Sequence, residues 1–375
     1  MPGFASKFTW KLPAGPGGGE ALELTGPRAQ GNRVLVGTRK QTAGAPGRLL
    51  CLRGTAGPRE GLVLGQIELK ADPATDSPDG AESVLWLHPE LALVAHGGGG
   101  LALISVQSSG ALSVLDELPR ALQEGSVRDM ATSPNDGAWV AAGGYSRKLA
   151  LICLEQPDQT QLLPTGGTIG SVRWSADNQG VCPSATLDSG ELLIYDVRTR
   201  PTAVLTYEID VRKDDLFAHE RLSDHHVLLG FNHGKIMSID LRKTSGPLAS
   251  VQDPFVKAIG NLEYDAQRQH LIVSGVPDLT VYGYDPGTGR MDLRAHYYPG
   301  YSFPSLGCED ELSGTMMAGD PVVACTAGGY FSLINLDMPE AKAGGERKEA
   351  PSLLLGPPES SDSASSSSST AVTGQ

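Results

Sequence analysis

The densest set of chemically capable side chains lies in RKDDLFAHERLSDHH, Arg212 to His226. It holds Asp214, Asp215, His219, Glu220, Asp224, His225 and His226. Carboxylates and imidazoles so close together could ligate a metal ion or relay protons. Their spacing matches neither a zinc motif nor a calcium loop. Half of the stretch is expected to be solvated linker between structural units. Two glycine-rich stretches, HGGGG (His96 to Gly100) and GPGGGE (Gly15 to Glu20), could in principle cradle phosphate. A phosphate cradle needs a strand, a loop and then a helix, and no helix pattern follows either one. A hairpin turn and a flexible connection are the expected readings. No GxSxG, HExxH or Walker-type sequence is present. The sequence thus nominates no catalytic residue, no metal ligand and no cofactor, and a non-enzyme is expected.

Two other sets are better suited to holding partners. Arg198 and Arg242 each follow an aspartate by two positions, as Asp196-Val197-Arg198 and Asp240-Leu241-Arg242. Such an arginine can brace its own turn against nearby acids and carbonyls, or it can dock another protein. In RAHYYPGYSF (Arg294 to Phe303), Tyr297, Tyr298, Tyr301 and Phe303 surround Pro299-Gly300. Aromatic side chains on a loop held by a rigid scaffold suit partner binding, and packing of an outer strand is the alternative.

The elements that position these residues follow from a repeat. HGKIMSIDLRK (His233 to Lys243) has a near copy upstream, SGELLIYDVRT (Ser189 to Thr199). With the aspartate position as anchor, the same frame occurs seven times, at positions 53, 107, 155, 196, 240, 285 and 337, with Arg53, Gln107 and Glu155 in place of aspartate in the first three. The intervals of 54, 48, 41, 44, 45 and 52 residues are those of a propeller blade. Of the four residues that precede the anchor, counted in chain order, the first, second and fourth are large and apolar in every copy. The third is usually small or polar. Such a short run bounded by turn residues predicts a strand packed on both faces. A second strand precedes each copy, as in AWVAAGG and HVLLGFNHG, and most run into glycine, where a sharp turn is expected. Leading strands such as SVRDMATSP and SVRWSADN, and trailing ones such as PTAVLTYE, complete about four strands per unit.

Seven such units must close into a ring, because an open end leaves a sheet edge and an apolar face uncovered. SKFTWKL (Ser6 to Leu12) is the expected closing strand, on the outside of the last unit. The reading is therefore all-β: a seven-bladed β-propeller over residues 5–338, followed by a disordered, serine-rich tail over 339–375. Trp10, Trp86, Trp139 and Trp174 fall in predicted strands and are expected to pack between or within blades.

Bulk properties agree. The chain has 375 residues, 47 glycines, 26 prolines and 40% hydrophobic residues, which favours strands and turns. Five scattered cysteines without a CxxC pair argue for reduced thiols and an intracellular protein. No run of eighteen apolar residues occurs, and the N-terminus lacks the apolar centre of a secretory signal. Net charge is −13. A broad basic surface is not expected, so neither membrane nor direct DNA binding is predicted.

These repeats resemble the WD-repeat β-propellers, whose third strand ends in Trp-Asp. Here the dipeptide reads Tyr195-Asp196, Ile239-Asp240, Tyr284-Asp285 and Leu336-Asp337, and the family's Gly-His pair is mostly missing. The consecutive stretches ELLIYDVRTRPTAVLTYE and VLLGFNHGKIMSIDLRK are similar to blades of the WD repeat-containing protein 74 family. That resemblance implies a role in large ribosomal subunit assembly, in the nucleus or nucleolus, within a multi-subunit or ribonucleoprotein particle. This chain departs from that family in its blade arrangement and lacks the family's Asn-Asp-x-Leu-Asp segment and Lys-rich tail. The paired Asp-x-Arg tripeptides also resemble the box in WD-repeat substrate receptors of cullin–RING ubiquitin ligases. That second resemblance implies that Arg198 and Arg242 dock an adaptor. The general expectation is a protein-interaction subunit.

Overall fold

Alternation of apolar residues along each third strand dictates the way the protein packs. In a strand, successive side chains point to opposite faces. Leu192 and Ile194 join Leu216, Val227, Leu229 and Ile239 in one buried cluster. Leu193 and Tyr195, from the same strand, join Leu149, Leu151, Ile169 and Trp174 in another. The strand is apolar throughout because it has a sheet on either side of it.

The computed structural model describes residues 6–11, 22–30, 32–40, 47–53, 63–69, 80–96, 99–118, 125–134, 138–175, 182–198, 203, 205–208, 215–243, 246–276, 278–297, 312–317, 322–326 and 330–335. Among these, the strands form seven antiparallel four-stranded sheets, numbered here one to seven along the chain. The sheets follow the repeat. Their third strands are Arg48–Arg53, Gly100–Val106, Lys148–Cys153, Glu191–Ile194, Lys235–Asp240, Leu279–Asp285 and Tyr330–Asn335. Ser6–Lys11 pairs with Tyr330–Asn335 as the outer strand of sheet seven, with Ser6 opposite Asn335. The N-terminal segment thus completes the last sheet, as the need to cover an open edge suggested.

The innermost strands are Leu22–Gln30, Ala81–His88, Val127–Thr132, Ile169–Trp174, Leu216–Arg221, Ala258–Asp265 and Leu312–Met317. Each lies beside the innermost strand of the next sheet, and that of sheet seven lies beside that of sheet one. The buried clusters sit between neighbouring sheets: one and two, two and three, three and four, four and five, five and six.

The small third column of the repeat has a packing cause. In sheet five it is Ser238, whose Oγ lies 2.8 Å from the Tyr284 hydroxyl of sheet six. The same hydroxyl lies 2.7 Å from Nε2 of His226. A larger residue at 238 would leave no room for Tyr284.

Every innermost strand carries one extra residue against its partner strand, a β-bulge. In sheets two to six that residue is Glu82, Arg128, Gly170, Phe217 and Gly260. A bulge bends the strand and re-aims side chains. It also explains the glycines that end the second strands. A Cβ on Gly144 would lie 2.0 Å from the carbonyl oxygen of Ser126, and one on Gly275 only 1.7 Å from that of Ala258. Gly144 and Gly275 thus permit close approach of the bulged inner strand. In sheet five the glycine that the second strand runs into does make the turn, as expected, with positive φ at His233 (65°) and Gly234 (78°).

In HGGGG, His96 ends the strand Leu91–His96 and pairs antiparallel with Gly100 of Gly100–Val106, while Gly97 and Gly98 lie outside the described residues. GPGGGE and the whole tail over 339–375 lie outside the described residues. No helix among the described residues is long and apolar enough to cross a membrane.

Candidate interaction surface

The two Asp-x-Arg tripeptides adopt one geometry. In each, the aspartate ends or follows the third strand and the arginine sits in the turn to the outer strand. Asp240 accepts three hydrogen bonds from Arg242: from its backbone N–H at 3.0 Å, from Nε at 2.9 Å, and from Nη2 at 2.9 Å. Asp196 does the same for Arg198, at 2.9, 3.0 and 2.7 Å. The middle residue turns inward. Leu241 packs on the cluster between sheets four and five, and Val197 on that between sheets three and four.

The aspartate side chains are 8% and 15% exposed, but Arg242 and Arg198 are 66% and 59% exposed. The hydrogen bonds from Arg242 hold the Asp240 carboxyl far below the usual carboxylate range. Those from Arg198 lower the Asp196 carboxyl as well, against the opposing effect of burial. Each unit is a self-braced turn that fixes a guanidinium pointing outward. Bidentate binding to Asp240 leaves further N–H donors on the exposed Arg242 guanidinium for an external acceptor. The two units stand on neighbouring sheets at the same end of the strands.

The aromatic stretch is mostly beyond view. Tyr297 is the last residue of the outer strand Arg290–Tyr297 of sheet six. Tyr298, Tyr301 and Phe303 lie outside the described residues.

The acid and imidazole stretch proves largely structural. It was expected to be half linker, but Leu216–Arg221 is the innermost strand of sheet five. His219 is fully buried. Its Nδ1 lies 2.5 Å from Ser171 Oγ and its Nε2 lies 2.8 Å from Ser184 Oγ, both in sheet four. Ser184 Oγ donates to the Arg173 carbonyl, so it accepts from Nε2–H. Nδ1 is then the acceptor for the Ser171 hydroxyl. Burial, aided by the positive charges of Arg173 and Arg221, holds the His219 pKa well below normal, and the ring is neutral. His226 is also held low, chiefly by burial. Among the described residues, no group of three or more His, Cys, Asp or Glu side chains is placed to hold a metal ion.

Sequence reading missed a set of converging polar groups lining the channel. Arg173 of sheet four reaches the inner strands of three other sheets. Its Nη1 lies 2.7 Å from Asp129 Oδ2 in sheet three, its Nε 3.1 Å from Glu220 Oε2 in sheet five, and its Nη2 3.1 Å from Asn261 Oδ1 in sheet six. Burial opposes the guanidinium's charge, but the two carboxylates outweigh it and its pKa rises above normal. The available signal was misleading. SVRDM and SVRW invite alignment of Arg128 with Arg173. Because the bulge falls on Arg128 in one strand and on Gly170 in the other, the two arginines stand three positions apart in depth.

Of the four tryptophans, Trp174 is buried, and its indole donates to the Ala131 carbonyl of sheet three at 2.8 Å. Trp139 packs against the same inter-sheet cluster. Trp86 lies under the Arg33 guanidinium, 5.6 Å from its ring centre. Trp10 is in the closing strand.

No protein-family model matches this chain, and none of the curated proteins matches it. Among solved structures, the chain is similar to Raptor from Chaetomium thermophilum, with a TM-score of 0.64 and 15% identity. The match covers 85% of this chain but only 28% of Raptor. A likeness at this identity shows the fold alone, a β-propeller of four-stranded antiparallel sheets.

Proposed function

We propose that this chain is a seven-bladed WD-repeat-type propeller, closed by Ser6–Lys11, that acts without catalysis as a scaffold for assembling other proteins. The observation that carries the reading is the matched pair of braced, exposed guanidiniums on neighbouring sheets. The aspartates hold the turns, and the guanidiniums they brace are 59% exposed at Arg198 and 66% at Arg242. Groups fixed before binding lose little entropy on contact. Propeller architecture supplies the rigid frame, and fold alone does not name the partner.

Two finer readings compete. The similarity of the two central blades to the WD repeat-containing protein 74 family supports assembly of the large ribosomal subunit in the nucleus or nucleolus. The spacing of two Asp-x-Arg turns on consecutive sheets supports docking of a ligase adaptor in a cullin–RING complex. Affinity purification of the tagged full chain separates them when the wild type is compared with Arg198→Ala plus Arg242→Ala. Co-sedimentation with large-subunit precursors supports the first reading. Loss of a ligase adaptor in the double variant, with folding unchanged, supports the second. A chain that retrieves no protein in either form overturns the scaffold reading.

A further inference from the structure

The opposite end of the strands carries a second, chemically different feature. The turn joining second and third strands lies beside the start of the inner strand: the Tyr145 N–H donates to the Ser126 carbonyl, and that of Asn232 to the Asp215 carbonyl. The bulge residues therefore ring one mouth of the channel, at the end away from Arg198 and Arg242. There Arg128 is exposed, and its guanidinium lies 4.8 Å from the ring centre of Phe217. These residues belong to sheets three and five. They meet because sheet four has Gly170 between them, where a Cβ would come within 2.6 Å of the Phe217 carbonyl oxygen. In the next sheet Gly260 is exposed, and a Cβ there would meet nothing closer than 3.8 Å. Among the described residues no carboxylate pairs with Arg128. In contrast, Arg173, deeper in the same channel, is saturated by Asp129, Glu220 and Asn261.

We infer that this mouth binds an acidic segment of a protein partner, with Arg128 taking a single carboxylate and the Gly260 gap admitting the partner's backbone. A guanidinium held over an aromatic ring retains N–H donors that can grip a carboxylate. Nucleic acid is disfavoured, because a chain of net charge −13 repels a polyanion far more than a segment that inserts a single carboxylate. The inference rests on the scaffold reading but uses a different face.

The test probes the full-length chain against an array of random dodecapeptides, then measures the affinity of the strongest acidic binder in solution. Enrichment of Asp and Glu among bound peptides is expected. Arg128→Gln should weaken that binder by roughly tenfold. Gly260→Leu, which fills open space at a φ that any residue adopts, should weaken it as well. Arg198→Ala plus Arg242→Ala should leave it unchanged while altering the complexes retrieved from cells, so failure of one reading is distinguishable from failure of the other. No acidic enrichment, wild-type affinity in both Arg128→Gln and Gly260→Leu, or an Arg128-dependent preference for phosphoserine peptides or oligonucleotides would each overturn the proposal.

Discussion

Asp129 Oδ2 lies 2.7 Å from Nη1 of Arg173, joining the innermost strands of sheets three and four across the channel wall. The same oxygen accepts the Val172 backbone N–H at 2.9 Å, and Oδ1 accepts that of Met130 at 3.0 Å. The carboxylate is thus held by both strands before the guanidinium arrives, and Arg173 then extends the link to sheets five and six.

Removing Arg173 should therefore cost more than an exposed ion pair. Arg173→Met leaves Asp129 and Glu220 mostly buried without their shared cation. A destabilisation of roughly 2–3 kcal/mol is expected, from lost charged hydrogen bonds. Urea unfolding measures it. Adding Asp129→Leu to Arg173→Met should cost less than the two single losses combined, because the pair is coupled. Strict additivity would show that the contact is inert.

His219 sets a pH dependence. Its folded pKa is held well below the ordinary histidine value of about 6.5 by burial. Between those two values the unfolded chain binds more protons, so stability is full above about pH 6.5 and falls as pH drops below it. His226, also lowered, acts in the same direction. Thermal unfolding from pH 7.5 to pH 5 should show falling stability, and His219→Gln should flatten the slope without abolishing it. An unchanged slope in that variant would show that His219 does not titrate on unfolding.

The Asp-x-Arg turns should respond asymmetrically to truncation. Asp240 also accepts the backbone N–H of residue 242, a bond that survives Arg242→Ala. Asp240→Ala should therefore lower the melting temperature more than Arg242→Ala does. The reverse order would mean that the arginine braces the turn alone.

Gly144→Ala should destabilise markedly, although φ at this residue is not positive, because the new Cβ lies 2.0 Å from a backbone oxygen. Gly260→Ala should be nearly neutral. Comparing the two by urea midpoint tests whether close approach of the bulge, and not turn geometry, selects these glycines.

The sequence by itself determined the repeat and, through it, the elements. A third strand apolar on both faces can persist only between two sheets, and the hydrophobic effect makes that pattern visible in one dimension. The closing strand Ser6–Lys11 was legible for the same reason: an unpaired edge must be covered. The Asp-x-Arg tripeptides were visible as residues that strand packing did not require. Their bracing was not visible, since the pattern is equally compatible with an arginine that pairs elsewhere.

Only the tertiary structure decided the channel. Asp129, Arg173, Glu220 and Asn261 come from four sheets and span 133 positions in the chain, and no local pattern announces that they meet. The bulges decided the rest. One extra residue in an inner strand moves a side chain in depth and rotates it, so that Arg128 stands at the mouth and Arg173 in the throat although both follow Ser-Val. Strand propensity has a period of two and carries no record of such an insertion. Its position is set by hydrogen-bond register with the neighbouring strand, which exists only once the sheet has formed.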